Sequence, residues 1–223
     1  MISVIIPTYN ERGNIALLVS RLAAVLPRGS EMVVVDDNSP DGTAAAVEEL
    51  AAGYPSLRLV ERKGKLGLAS AVVAGAAAAH GDRLVVMDAD LSHPPEAVPL
   101  LASALDACDL AIGSRLLRGG GVSSWPFHRR VISRGAEFLA RILLGVKVSD
   151  PMSGFFAVRQ DVFAKTRFRA RGYKLLLNIL ADNPRIRVKE LPYVFSDRHA
   201  GETKLGPGEV LNYVLDLLRM RFS

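Results

Sequence analysis

The fold class predicted from the sequence is α/β: a doubly wound, mostly parallel sheet with helices on both faces. Three observations predict it. Strand and helix signals alternate from residue 2 to residue 115. The strand segments are apolar at successive positions, as in a parallel sheet covered on both sides. The segments between them carry apolar residues at helical spacing, and repeated strand–helix–strand units wind in the right-handed sense.

The elements follow in order. SVIIP is a short apolar run stopped by Pro7, and GNIALLVSRLAAVLP is a helix closed by Pro27. EMVVVDD is a second strand, and DGTAAAVEELAAG a second helix with Asp41 as its cap. LRLVERK and GLASAVVAGAAAAHG form the third pair. DRLVVMDAD is a fourth strand, PPEAVPLLASALDA a helix opened by prolines, and CDLAIGSR a fifth strand. After Arg115 the pattern changes. LRGGGVSSWP reads as a Gly-rich loop and HRRVISRGAEFLARILLG as an amphipathic helix. SGFFAVRQDVF is a strand running into a short helix, and GYKLLLNILADNP a helix ended at Asn183-Pro184. RIRVKELPYVF is a strand, RHAGETKLGPG a loop able to move, and EVLNYVLDLLRMRF a closing amphipathic helix. With no linker or repeat, residues 1–223 read as one domain, with a C-terminal elaboration at 116–223.

Composition narrows the function classes. Hydrophobic residues make up 49% of the 223, which is enough for a packed core. The one cysteine, Cys108, excludes an internal disulfide and reads as a small buried residue. The four histidines lack the spacing of a zinc site. No charged segment precedes the first strand, and the apolar run Leu68–Ala79 is too short to span a bilayer. A cytoplasmic chain is expected, or one peripherally associated with the cytosolic face of a membrane. The net charge of +5 raises nucleic acid as a partner, but no groove-reading or aromatic-interleaved motif accompanies it.

Ligands of such sheets bind outside the carboxyl ends of the strands. Three strand ends carry acids: Glu11, Asp36-Asp37, and Asp88 with Asp90. Asp36, beside NSPDG, is as readily a turn residue. No Gly-rich phosphate loop of Rossmann or Walker type follows the first strand or occupies KGKLGLAS. Acids near a phosphate need a cation between them, and Mg²⁺ or Mn²⁺ bridging Asp88, Asp90 and a diphosphate meets that need. Asp37 is able to accept from the N–H groups of a nucleobase, uracil and guanine alike.

PTYNE, VVVDDNSPDGT, MDADLSHPP, GSR and SDPMSGFF resemble the family-2 glycosyltransferases of GT-A fold. More narrowly, the chain resembles the dolichyl-phosphate or polyprenyl-phosphate mannose synthases over nearly its whole length. The resemblance implies an inverting enzyme that moves mannose from GDP-mannose to a polyprenyl phosphate. It implies a metal at Asp88 and Asp90 and a nucleotide pocket of Pro7, Tyr9, Glu11, Val35 and Asp37, with Ala89 near the ribose-phosphate. It places Arg115, Arg129, Ser133 and Arg198 around the acceptor phosphate and Lys204 on the donor diphosphate. Arg198 and Lys204 sit in DRHAGETK, a Gly-containing loop able to close over the donor.

The residues agree with that chemistry. From Arg115 to Lys147 there are seven basic residues and one acid, Glu137. Guanidinium groups give forked hydrogen bonds to phosphate. Arg129 and Ser133, four apart, share a helix face. Arg130, Arg134 and Arg141 read as surface or membrane-facing charge. Transfer to a hydroxyl needs a carboxylate base, which related polysaccharide enzymes carry near GYKLLLNIL. This chain has Leu177-Asn178 there, and a phosphate acceptor is already ionised. Many relatives continue into C-terminal transmembrane helices, so a membrane surface or a small membrane-anchor protein is the expected partner. The broad apolar face of the last helix either packs on the sheet or meets the membrane. Within the enzymes, a UDP-sugar-dependent polyprenyl-phosphate glucosyl- or N-acetylhexosaminyl-transferase is the alternative. A catalytically silent sugar-nucleotide-binding subunit is the alternative outside them, and a nucleotidyltransferase is disfavoured by the missing basic Gly loop.

Overall fold

The computed structural model describes residues 1–122, 139–168 and 175–196, together with residues 135 and 217. The first half alternates as its sequence pattern dictates. β1 (Ile2–Thr8) leads to α1 (Arg12–Val25), β2 (Glu31–Asp36) to α2 (Thr43–Ala51), and β3 (Leu57–Glu61) to α3 (Leu68–Ala78). β4 (Arg83–Val86) is followed by a 3-10 turn (Pro95–Ala97) and α4 (Val98–Ala104), then β5 (Leu110–Ser114). Beyond it come β6 (Gly121–Val122), β7 (Phe156–Arg159), α5 (Gln160–Lys165), α6 (Leu175–Asp182), β8 (Val188–Pro192) and β9 (Val194–Phe195).

Seven strands form one sheet in the order β3-β2-β1-β4-β7-β5-β8. Every neighbouring pair is parallel except those of β7, which runs antiparallel to β4 on one side and β5 on the other. Successive strand residues point to opposite faces, and each face is covered. Val4, Ile6, Val34 and Val85 pack with Ile15, Leu18 and Leu22 of α1, Val47 of α2 and Leu101 of α4. Ile5, Val33, Val35 and Val86 pack with Val72 and Ala76 of α3 and Leu176 and Ile179 of α6. Gly75 lets α3 approach closely: a Cβ there would lie 2.6 Å from Ile5 and 2.8 Å from Val35 side-chain carbons. The doubly wound, mostly parallel sheet expected from the sequence is therefore present.

Three local expectations change. RIRVKELPYVF is not one strand. It breaks at Tyr193, whose N–H donates to the Ser114 carbonyl and whose carbonyl accepts from Gly121. That residue crosses between the main sheet and a two-stranded ribbon of β6 and β9. The Gly-rich segment after Arg115 accordingly contains a strand. DRLVVMDAD stops being a strand at Val86: Met87 still donates to Ile5, but Asp88 donates instead to a side chain, His93 Nδ1. Within the segment 128–145, residues 139–144 are helical. Apart from residues 135 and 145, the rest of that proposed helix lies outside the described residues, as do RHAGETKLGPG and the closing helix apart from Leu217. Leu217 is buried with Ala140 and Leu177. Among the described residues, no helix is long and apolar enough to cross a membrane.

The opposite edge of the sheet is closed by one buried acid. Glu31 accepts from Ser3 Oγ and from the His80 N–H, each at 2.6 Å, and from Arg58 at 3.1 Å. Burial alone would raise its pKa. The hydrogen bonds from Ser3, His80 and Arg58 outweigh burial and bring it down to about 2 from 4.5. A lowered carboxyl pKa stabilises the fold above the unfolded value and loses that contribution as pH falls through the folded one. Stability is therefore expected to decline between pH 4.5 and about 2, and Glu31→Gln to remove up to about 3 kcal/mol at pH 7. Urea denaturation of both proteins at pH 7 and pH 3 checks this: the gap between them should narrow at the lower pH.

Candidate active site

The parallel strands place the exits of β1, β2 and β4 side by side, with β1 in the middle. Glu11 ends the β1 exit and precedes α1, and its carboxylate accepts from Asn14 Nδ2 at 2.7 Å. Its N–H donates to Thr43 Oγ1 at 3.0 Å, tying this exit to the start of α2. Asp41 accepts the Thr43 N–H at 3.0 Å, but it stands one residue before the cap of α2, which is Gly42 rather than the expected Asp41. Asp36 is the last residue of β2, and its side chain serves the turn that follows: fully buried, it accepts from Thr8 Oγ1 at 2.9 Å and from the N–H and hydroxyl of Ser39 at 2.8 and 2.6 Å.

Asp37 also serves its own chain. Oδ2 accepts the N–H groups of Leu66 and Gly67 at 3.0 and 2.8 Å, holding the loop between β3 and α3. Oδ1 lies 2.6 Å from Arg62 Nη1. That contact is ionic and off the hydrogen-bond line, so Oδ1 keeps no directed hydrogen bond although it is buried. The same loop carries Lys65, whose ammonium lies 3.7 Å from the centre of the Tyr9 ring. Lys65 was not among the residues singled out in the sequence; its place depends on the loop that Asp37 holds. Pro7 and Val35 are buried in paired β1 and β2. The Val35 side chain packs under α3, so only its backbone is available to a site at this edge.

Asp88 and Asp90 lie just beyond β4, in a turn whose Leu91 has a positive φ of 62°. Ser92 shapes the turn by donating its N–H and Oγ to Asp90 Oδ1 at 3.1 and 2.5 Å. His93 is buried, accepts the Asp88 N–H at 3.0 Å, and stacks on Phe155 at 4.9 Å. The Asp88 side chain is 30% exposed, whereas Asp90 and Ala89 are buried. Gly154 stands opposite: a Cβ there would lie 3.8 Å from the Asp88 carboxylate. Among the described residues no group of three His, Cys, Asp or Glu side chains gathers around a metal position. Two carboxylates nevertheless fit Mg²⁺ or Mn²⁺, which take one or two protein carboxylates and complete their shell with phosphate oxygens and water.

β5 and the segment before β7 bring a guanidinium paired with a buried carboxylate. Arg115 follows β5 and forks onto Asp150, Nε to Oδ2 at 2.8 Å and Nη2 to Oδ1 at 2.7 Å. Tyr193 is buried beside this pair, and burial pushes its phenol pKa up. Arg141 departs from the expected surface charge: it is half-buried and donates to the Ser149 carbonyl. The reason is that the Ser149 carbonyl offers it an acceptor. Arg129, Ser133, Arg198 and Lys204 lie outside the described residues. Asp150, Glu190, His93 and Ser92 escaped the sequence reading. SDPMSGFF and MDADLSHPP contain three of them, but only burial and partners distinguish them from ordinary turn residues.

Comparison with known proteins joins these features to a family. The model for "Glycosyl transferase family 2" matches residues 3–167. The chain belongs to glycosyltransferase family 2. Among the relatives of this family-2 chain is a "Dolichol-phosphate mannosyltransferase" of Pyrococcus furiosus, 44% identical over 98% of the chain and 63% of that protein. The chain thus spans less than two thirds of that relative. A "Polyprenol monophosphomannose synthase" of Mycolicibacterium smegmatis is 41% identical over 93% of the chain and 82% of that protein. Glucosyl-3-phosphoglycerate synthase of Mycobacterium tuberculosis, solved with Mn²⁺, UDP and glucosyl-3-phosphoglycerate, is 23% identical with a TM-score of 0.74. That match covers 99% of this chain and 80% of the other, and at this identity it establishes a shared fold alone.

His93 packs the acidic turn against the β7 segment. His93→Ala is expected to lower stability by about 3 kcal/mol, through the lost stack and the unpaired Asp88 N–H. Chemical denaturation measures it, and a loss below about 1 kcal/mol would show that the turn holds without this contact.

Proposed function

We propose that this family-2 glycosyltransferase moves mannose from GDP-mannose to a polyprenyl or dolichyl phosphate, with inversion at the anomeric carbon. The observation that carries the reading is the sheet edge itself. An acid pair at the β4 exit, Asp88 and Asp90, faces the same edge as a pinned arginine at the β5 exit, Arg115. A nucleoside diphosphate bridged by a cation suits the first, and a phosphate acceptor suits the second. The two mannosyltransferase relatives support the sugar and the acceptor class.

The bond changes are simple. A phosphate oxygen of the acceptor attacks the anomeric carbon, the bond from that carbon to the diphosphate oxygen breaks, and the electron pair leaves with the nucleotide. The acceptor is already an anion, so no base must remove a proton. Asn178, buried in α6 where a polysaccharide-type relative would carry an acid, agrees with this. Mg²⁺ or Mn²⁺ held by Asp88 and Asp90 would supply neutralisation of the leaving diphosphate. Tyr9 and Glu11 border the nucleotide, and by resemblance Asp37 contacts the nucleobase. By resemblance, Arg129, Ser133 and Arg198 join Arg115 at the acceptor phosphate and Lys204 holds the donor. The acceptor's chemistry implies peripheral attachment at the cytosolic membrane face, directly or through an anchor protein.

Labelled GDP-mannose, UDP-glucose and UDP-N-acetylglucosamine offered with farnesyl phosphate and Mn²⁺ test the reading. Transfer from GDP-mannose is expected; transfer from a UDP-sugar alone would replace it with the glucosyl or hexosaminyl alternative. Asp90→Ala is expected to lower kcat/KM by roughly 100-fold or more, the scale of losing charge stabilisation at a leaving group. Chelation should abolish the activity and added Mg²⁺ or Mn²⁺ restore it. No turnover with any donor, with nucleotide binding retained, would favour a silent sugar-nucleotide-binding subunit.

A further inference from the structure

Two carboxylates behind the site take no part in the bond changes above, yet they set its geometry. Asp150 is fully buried and receives three hydrogen bonds from Arg115: Nε at 2.8 Å, Nη2 at 2.7 Å and the backbone N–H at 3.1 Å. Glu190 stands one step further back, on β8. Its Oε2 accepts the Ser149 N–H at 2.8 Å and its Oε1 the Asp150 N–H at 3.1 Å. Arg141 holds the same turn from its other side, at the Ser149 carbonyl. β8 pairs in parallel with β5, Glu190 opposite Ile112, so the acid is carried by the strand beside the one that ends in Arg115. The Phe195 ring centre lies 5.9 Å from the Arg115 guanidinium carbon.

We propose that Glu190 and Asp150 are positioning residues for the acceptor phosphate. Glu190 fixes the 149–150 turn, Asp150 fixes the plane of the Arg115 guanidinium, and that plane sets where its remaining N–H bonds point. The inference rests on the reading of Arg115 as a phosphate ligand. The physical case is that a guanidinium carries five donors in fixed directions. An unrestrained arginine side chain would lose rotamer freedom on meeting a phosphate, whereas one already forked onto a buried carboxylate has lost it on folding. Gln at 190 cannot replace the acid, because its NH₂ would face one of the two N–H groups it must accept. Asn at 150 fails for the same reason against the Arg115 fork.

Steady-state kinetics of the full chain with GDP-mannose and farnesyl phosphate test this. Glu190→Gln and Asp150→Asn are expected to raise the KM for farnesyl phosphate by about tenfold, the scale of one lost charge-assisted hydrogen bond. The KM for GDP-mannose should stay within about twofold, which general misfolding would not produce. Arg115→Lys should give a comparable rise, and adding Glu190→Gln to it should change little further, because the fork is already gone. A fall in kcat with both KM values unchanged, or additive effects in the double variant, would overturn the positioning role. If Arg115→Lys leaves the acceptor KM unchanged, the reading of Arg115 itself fails, and the inference with it.

Discussion

β7 fills the gap between β4 and β5 and must satisfy the backbone groups of both. Phe156 sits opposite Val86 on one side and Ile112 on the other. Because β7 runs against its neighbours, its beginning lies at the edge where β4 and β5 end. Residues 149–155 are thereby delivered to the carboxyl edge of an otherwise parallel sheet. Ser153 fastens them there, donating to the Gly113 carbonyl at 2.6 Å, while Gly113 donates its N–H to Phe155 at 2.8 Å. Gly113 cannot be larger, since a Cβ would lie 2.8 Å from the Phe155 ring. The stack of His93 on Phe155 and the fork of Arg115 on Asp150 both depend on this one strand reversal.

Electrostatics at the edge follow from burial. Asp36, Asp37, Asp90 and Asp150 are each almost wholly shielded, and a shielded carboxylate must be met by hydrogen-bond donors or a cation. Asp36 meets turn donors, Asp37 a loop and Arg62, Asp90 the Ser92 N–H and hydroxyl, and Asp150 a guanidinium. Asp88 differs in keeping a solvent-reachable side chain at the mouth of the turn. A negative turn at β4 and a neutralised arginine pair at β5 therefore face the same opening. This arrangement underlies the proposed pairing of a diphosphate donor with a phosphate acceptor.

The acids at the strand ends were legible because a parallel sheet aligns its carboxyl edge, whatever the details of packing. Asp88 and Asp90 could be placed from MDADLSHPP alone, and the absence of an acid at Asn178 could be read directly. The partners were not legible. Nothing in VVVDDNSPDGT distinguishes Asp36, which closes a turn, from Asp37, which holds a loop 29 and 30 residues away. Arg141 looked like one more charge on an amphipathic helix, until the 149–150 turn gave it an acceptor. RIRVKELPYVF looked like one strand because its apolar pattern does not mark the crossing at Tyr193.

By itself the sequence determined the alternation of strands and helices, the burial of β1, β2 and β4 on both faces, and the acids at their exits. These follow from periodicity and from short-range turn chemistry, which neighbouring residues carry. The tertiary structure decided the antiparallel insertion of β7, the transfer of chain from the main sheet to the β6–β9 ribbon, and the Glu190–Asp150–Arg115 chain. The last depends on hydrogen bonds between residues 35 to 41 positions apart, and the first two on strand pairings between residues 44 to 76 positions apart. Such pairings are set by which backbone donors and buried charges remain unsatisfied once the sheet has closed, and no local pattern records that remainder.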